Sequence, residues 1–216
     1  MLMVARKSLI EIKIIISRGL KQARHGTTLD PSLLWSSILE AVEPLKEFQM
    51  KKLSVRDMAE IALVAAVYVV LTITPPLNAI SFGMYQFRVS EMMNFTAFYK
   101  PKYIIGVTLG CMIANLYSFG WVDVFVGGGS TLIFLSLGVY FFRPYMKDRL
   151  FNGLMNKAFF YFAIWFSISM VTIAAELYFL QGLPFLLTWF TTGLGEFASL
   201  LVGAFLIEKV AKQINF

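Results

Sequence analysis

Six apolar segments, at about residues 57–74, 86–99, 103–118, 122–142, 158–180 and 188–208, constrain this chain more than any other feature. A segment surrounded by lipid has no water for its backbone amides, so it must close its hydrogen bonds within itself, and helix does this. The apolar–polar alternation of membrane barrel strands is not seen. Hydrophobic residues make up 58% of the 216 and charged residues 15%, with a mean hydropathy of +0.70. A soluble domain carries about 25% charged residues, so this composition belongs in a bilayer. The second and third segments fall short of the about 20 residues that a perpendicular crossing needs. They are expected to tilt, pack under loops, or include interfacial turns.

Charge orients such a protein, because cytoplasmic loops are enriched in Lys and Arg. Lys51, Lys52 and Arg56 precede the first segment, and Lys100 and Lys102 separate the second from the third. Arg143, Lys147, Arg149 and Lys157 separate the fourth from the fifth, and Lys209 and Lys212 follow the sixth. The 117–121 and 180–187 connections carry neither residue type. The pattern predicts an all-α polytopic membrane protein with six transmembrane helices and both termini cytoplasmic. The formal charge of +6 is spread over these loops rather than gathered in one patch, which argues against a nucleic-acid partner.

Cys111 is the only cysteine and His25 the only histidine. An intrachain disulfide, a cysteine metal cluster and histidine acid–base chemistry within the membrane are therefore excluded. The Gly127-Gly128-Gly129-Ser130-Thr131 run lacks the lysine of a phosphate-binding loop, so any ATP is bound by another chain. Residues 1–49 differ from the rest: they are basic, and their run Ile14-Ile15-Ile16 is too short to span. They fit either a surface-lying amphipathic helix or sequence outside the native protein. Met50-Lys51-Lys52-Leu53 looks like a bacterial start, and Lys46-Glu47 can be encoded by AAG-GAG, which resembles a ribosome-binding site. The expectation is a start at Met50, with residues 1–49 an amino-terminal extension and residues 50–216 a six-helix membrane domain.

Several polar groups interrupt the apolar runs. Glu91 and Asn94 are three apart and share a helix face, which Phe87 and Phe98 continue. A carboxylate near the middle of a membrane helix costs roughly 2.5–3.5 kcal/mol, and it persists where it faces a cavity, a partner or a ligand. Thr108, Cys111 and Asn115 line the third segment, Thr172 and Glu176 the fifth, and Thr188, Thr192, Glu196, Ser199 and Gly203 the sixth. With Glu91 and Asn94 these faces could enclose one polar cavity toward the outer side. Their structural alternative is interhelical hydrogen bonding, with Glu176 or Glu196 bridging helices or paired with Arg88, an isolated cation near an outer end. Asn115 and Glu196 fit either role, whereas Glu91 reads as a ligand residue. Asp123 opens the fourth helix, where it serves either as a cap favoured by the dipole or as a ligand contact.

Tyr117, Trp121, Tyr178 and Trp189 cluster near outer ends, as interfacial anchors or as platforms for a planar solute. Ala62-x-x-x-Ala66 and Gly106-x-x-x-Gly110 each permit close helix approach. The glycine pair is assigned to packing inside the chain. The alanine pair fits internal packing or a partner helix.

Phe82-Gly83, Gln86-Phe87-Arg88-Val89-Ser90-Glu91, Asn94, Pro101-Lys102-Tyr103-Ile104, Gly106 to Cys111, Asn115-Leu116, Phe119-Gly120 and Asp123-Val124 resemble the QueT family. The similarity runs over essentially all of residues 50–216. Members are substrate-binding S components of energy-coupling factor (ECF) transporters, associated with uptake of queuosine precursors. The resemblance implies a bacterial cytoplasmic-membrane protein that is not an enzyme and holds no cofactor. Its partners would be a transmembrane T subunit, docked on Ala62 and Ala66, and two ATPase subunits that use the ATP. The implied solute is a 7-deazaguanine such as 7-aminomethyl-7-deazaguanine.

That solute suits the buried acids. A carboxylate accepts two parallel hydrogen bonds from a guanine-like edge, and a second acid can pair the ammonium. Glu91 takes one job and Glu176 or Glu196 the other, while Asn94 and Asn115 serve O6 or ring nitrogens. Arg88 and Asp123 complete the expected substrate-binding set. The alternatives are an S component for another vitamin-like molecule, or a membrane-embedded lipid-processing enzyme. The lack of a histidine within the apolar segments, of metal-ligand clusters and of a serine nucleophile motif weighs against the enzyme.

Overall fold

The computed structural model describes residues 53–82, 85–118 and 120–214. The expected start at Met50 and the 1–49 extension lie outside the described residues. The elements run α1 (Val55–Ile73), α2 (Leu77–Ser81), a 3-10 segment (Val89–Phe95), α3 (Thr96–Tyr99), α4 (Tyr103–Ser118) and α5 (Trp121–Phe142). A short 3-10 turn, a hairpin of β1 (Arg149–Leu150) and β2 (Met155–Asn156), α6 (Lys157–Ile168), α7 (Val171–Gln181) and α8 (Phe185–Ile214) complete the order. The antiparallel hairpin pairs Arg149 with Asn156.

Local sequence sets these ends. Arg143-Pro144 closes α5, since proline cannot continue an α-helix hydrogen-bond ladder. Asn156 caps α6 by accepting from the Ala158 and Phe159 amides at 2.9 and 3.4 Å. Gly182 ends α7 in the left-handed conformation, φ +68°, which costs a residue without Cβ least.

Among the described residues, three helical stretches are long and apolar enough to cross a bilayer: Trp121–Tyr145, Lys157–Gln181 and Phe185–Gln213. Tyr103–Tyr117 is a shorter apolar helix. The expected fifth segment is one apolar stretch but two helices, broken at Ser169–Met170. There the Ser169 hydroxyl donates to the Phe166 carbonyl at 2.6 Å, and its amide is shared between Trp165 and Phe166 carbonyls. Such back-bonding by serine bends helices.

The expected second segment differs more. Of residues 86–99, only Val89–Tyr99 is helical, and most of that is 3-10. Two neighbours hold it in place. On the α1 side, Thr72 donates to the Ser90 hydroxyl at 2.7 Å and Tyr68 donates to Glu91 at 2.5 Å. On the α8 side, the Ser199 hydroxyl donates to the Arg88 carbonyl, and Gly195 and Gly203 sit where a Cβ would strike Tyr85 and Met92. Side-chain bonds to both neighbours, made by a run rich in polar groups, replace the regular α ladder. Because 3-10 geometry eclipses residues three apart, Glu91 and Asn94 still share a face.

Packing explains the small residues. A Cβ on Gly106 would lie 2.7 Å from the Ile61 carbonyl, and one on Gly110 2.7 Å from the Tyr68 Cβ. The glycine pair thus lets α4 lie directly against α1, as expected. Ala62 and Ala66 are exposed on the other side of α1, so they are not used for packing inside the described chain. Phe95, Phe98, Phe159, Phe162 and Phe166 form the aromatic centre of the core, with Phe95–Phe159 centroids 4.4 Å apart.

Cations collect at one end. Lys102 pairs with Asp57 and with Glu60, the latter at 2.6 Å, and Lys100 and Arg56 also reach Glu60. Hydrogen bonds to Asp57 and Glu60 hold the Lys102 ammonium above the usual lysine range. Arg143 donates to the Tyr99 carbonyl at 3.4 Å, and Arg149 pairs with Glu208 of α8. The start of α1, the α3–α4 turn, the end of α5, the hairpin and the end of α8 therefore share this basic end.

The two faces of α1 separate in a stability measurement. Gly110→Leu is expected to lower stability by about 1–3 kcal/mol, the range for overpacking, in thermal unfolding of purified protein. Ala66→Leu, on the exposed face, is expected to leave it within about 0.5 kcal/mol. A tolerated Gly110→Leu would contradict the packing described here.

Candidate functional site

A narrow cavity opens where the 3-10 segment meets α4 to α8. Gln86, Arg88, Glu91, Cys111, Ser130 and Thr131 line it, with Phe166, Ser169, Ile173 and Glu196 among the rest. About 350 Å³ of space lies between its lining atoms, open solvent at its mouth included. Ser130 lies nine residues into α5, roughly 14 Å from its cation-poor start at 1.5 Å per residue. The cavity therefore sits in the half of the protein away from the basic end.

Glu91 is 3% exposed and both its oxygens are engaged. Tyr68 donates to Oε1 at 2.5 Å and Asn94 to Oε2 at 2.6 Å. α1 and the 3-10 segment thus fix the carboxylate from two directions. A carboxylate accepts about four hydrogen bonds, so capacity remains on the cavity side.

Arg88, the cavity's one lining cation among the described residues, forms no ion pair with a carboxylate there. Its guanidinium donates to Asn115 Oδ1 at 3.1 Å and the Ser81 carbonyl at 3.4 Å, and it lies over the Phe82 ring. Pairing of Arg88 with Glu176 or Glu196, one alternative for those acids, is not what the structure holds. Four acids nevertheless share its field, namely Glu91, Asp123, Glu176 and Glu196.

The remaining expected residues fall into two groups. Glu196, on α8, lines the cavity at 2% exposure, and its Oε1 has no hydrogen-bond partner among the described residues. Asn94, Asn115, Asp123 and Glu176 are buried around the cavity without lining it. Asn94 supports Glu91, and its Oδ1 has no partner among the described residues. Asn115 is a bridge, receiving Arg88 and donating to the Asp123 carbonyl at 3.2 Å. Asp123 stands in the first turn of α5. Both oxygens of Glu176, one turn beyond Ile173, are buried and without a partner among the described residues. An unsatisfied buried polar group costs about 1–3 kcal/mol, and more when charged.

The α8 face expected from spacing is buried as a whole, but Thr188 and Thr192 bond carbonyls of the preceding turn at 2.9 and 2.7 Å. Stacking on Tyr117, Trp121, Tyr178 or Trp189 is not supported, since none of them lines the cavity. Tyr117, Trp121 and Tyr178 are exposed, while Trp189 donates to the Ile168 carbonyl at 3.1 Å. Several lining or supporting residues were given no site role by the sequence reading. Tyr68 reads as an ordinary packing aromatic, and Ser130 as part of a glycine-rich helix. Ser169 could have been found as a polar interruption of the fifth segment. Gln86 is held at φ +45°, a conformation non-glycine residues seldom adopt and one concentrated at functional sites.

Residues 58–212 match the family model described as QueT transporter. A relative from Lactococcus lactis subsp. cremoris (strain MG1363), named queuosine precursor transporter QueT, is 62% identical over 166 residues, covering 77% of this chain and 98% of the relative. No solved structure matches. Long apolar helices together with a transporter family make this a multi-pass protein of the cell membrane, with a transport role rather than an enzymatic one. The chain belongs to the QueT transporter family.

Proposed function

We propose that this protein is the substrate-binding S component of an ECF importer, capturing a queuosine precursor from outside. The solute is a 7-deazaguanine, such as 7-aminomethyl-7-deazaguanine. The observation that carries the reading is the buried Glu91 carboxylate, oriented by Tyr68 and Asn94 beside Arg88 in a membrane-embedded cavity. Glu91 reads the guanine-like edge, whose adjacent N–H donors match a carboxylate. Glu176 or Glu196 serves a cationic substituent, Arg88 lies beside acceptor atoms of the ring, and Asn94, Asn115 and Asp123 hold this set in place. The 62% identity to a queuosine precursor transporter supports the solute class.

In this reading the chain crosses the bilayer six times with both termini cytoplasmic, because the basic end faces the cytoplasm. The second crossing is the irregular one. A seven-residue 3-10 run and four α residues together rise roughly 20 Å, so this crossing also uses the non-helical residues that lead into it. Backbone of that kind is tolerated in lipid only when buried in protein, as Ser90, Glu91 and Met93 to Phe98 are. Ala62 and Ala66, exposed on α1, form the docking face for a T subunit, whose two ATPase partners supply the ATP hydrolysis. This chain needs no cofactor of its own. Residues 1–49 are an extension to the 50–216 membrane domain.

Equilibrium binding of labelled 7-deazaguanines to the purified protein tests the solute. Glu91→Gln is expected to weaken binding by at least about 1.5 kcal/mol, the lower range for a charge-assisted bond. Unchanged affinity would remove Glu91 from the site. Docking is tested by copurification with the T and ATPase subunits, which Ala62→Leu or Ala66→Leu is expected to abolish while solute binding survives. A complex indifferent to both substitutions would refute that surface.

A further inference from the structure

The acids around the cavity are treated differently by their neighbours. Glu91 receives one protein donor on each oxygen, so its direction is fixed and much of its desolvation is offset. Glu196 lines the same cavity, 98% buried, with Oε1 unpartnered among the described residues. The neighbouring cation does not serve it, because Arg88 is directed to Asn115 and the Ser81 carbonyl. A carboxylate that lines a cavity with an oxygen left without a donor lacks part of what buried charge requires, and a cationic donor gives roughly twice the hydrogen bond of a neutral one.

We propose that Glu196 is the counter-ion for a protonated amine on the transported solute, which makes the site prefer a cationic substituent to a neutral one of similar size. This rests on the transport reading above and assigns one job within it: Glu91 holds the planar edge, Glu196 holds the charge. The asymmetry follows from the side chains themselves. A rigid, doubly supported carboxylate suits a fixed bidentate edge. An unsupported one suits an ammonium on a rotatable arm, which can meet it over a range of angles.

The test compares 7-aminomethyl-7-deazaguanine with neutral 7-cyano-7-deazaguanine on the full-length purified protein. Wild type is expected to bind the amine more tightly. Glu196→Gln should lower affinity for the amine by at least about tenfold, equal to about 1.4 kcal/mol, and that for the nitrile by less than about threefold. The selectivity then collapses. Glu196→Asp, which keeps the charge, should retain part of the preference.

Thermal unfolding without ligand separates this from a structural role. Removing an unpartnered buried carboxylate should leave Glu196→Gln as stable as wild type or more so, while the stabilisation conferred by the amine is lost. Equal loss for both solutes, no loss for either, or a destabilised Glu196→Gln with a Glu196→Asp that no longer prefers the amine would overturn the proposal. Wild type binding both solutes equally overturns it alone. Wild type binding neither overturns the transport reading and this inference together.

Discussion

The fold and the site both depend on how the 3-10 segment Val89–Phe95 is clamped between α1 and α8. Its backbone lacks the regular α ladder that usually lets a chain cross lipid, so it needs protein on both sides. Tyr68 and Thr72 supply hydroxyls from one side, and Ser199 reaches the Arg88 carbonyl from the other. Gly195 and Gly203 allow α8 to approach so closely, while Gly106 and Gly110 press α4 onto the same helix that holds Glu91. The small residues and the polar ones are thus parts of one device, which brings a carboxylate deep into an apolar body and fixes its direction.

Around that carboxylate the polar network is deliberately uneven. Asn115 is consumed by Arg88 and the Asp123 carbonyl, and Glu91 by Tyr68 and Asn94, yet Glu176 and Glu196 keep oxygens without donors among the described residues. Each such atom opposes folding by about 1–3 kcal/mol and would be removed if stability alone decided the sequence. The aromatic core of Phe95, Phe98, Phe159, Phe162 and Phe166 offsets that cost, as stacked and edge-on pairs add about 0.5–1.5 kcal/mol each. Phe166 does both jobs, packing on Phe162 and lining the cavity. At the basic end, Asp57 and Glu60 are met by Lys100, Lys102 and Arg56, so acids left without donors belong to the cavity region.

What the sequence makes legible follows from what each signal measures. Apolar length found α4 and α5 almost to the residue, because lipid imposes it directly, and it found α8 but stopped three residues short at its start and six at its end. It took residues 158–180 as one element, since hydropathy does not register that Ser169 turns its hydroxyl onto the chain behind it. It read residues 86–99 as a short segment that tilts, packs under loops or includes interfacial turns, and it missed the 3-10 geometry because a buried polar segment and a short membrane helix have similar mean composition. Spacing still put Glu91 and Asn94 together, as three residues make a full turn of 3-10 helix. Glu196 was legible as an acid on the polar face of the sixth segment, but spacing left a ligand role and interhelical bonding equally open. Tyr68 was not legible, because its contact with Glu91 spans 23 residues and depends on how α1 packs against the 3-10 segment. The direction of Arg88, toward Asn115 rather than an acid, is likewise a property of tertiary placement.

The most direct measurement is an experimental structure of the protein with a 7-deazaguanine bound. The account predicts the planar ring between Arg88 and Glu91, with any amine on it facing Glu196 and Gln86 within contact. Density for the solute elsewhere, with Glu91 and Glu196 touching only protein, would contradict it.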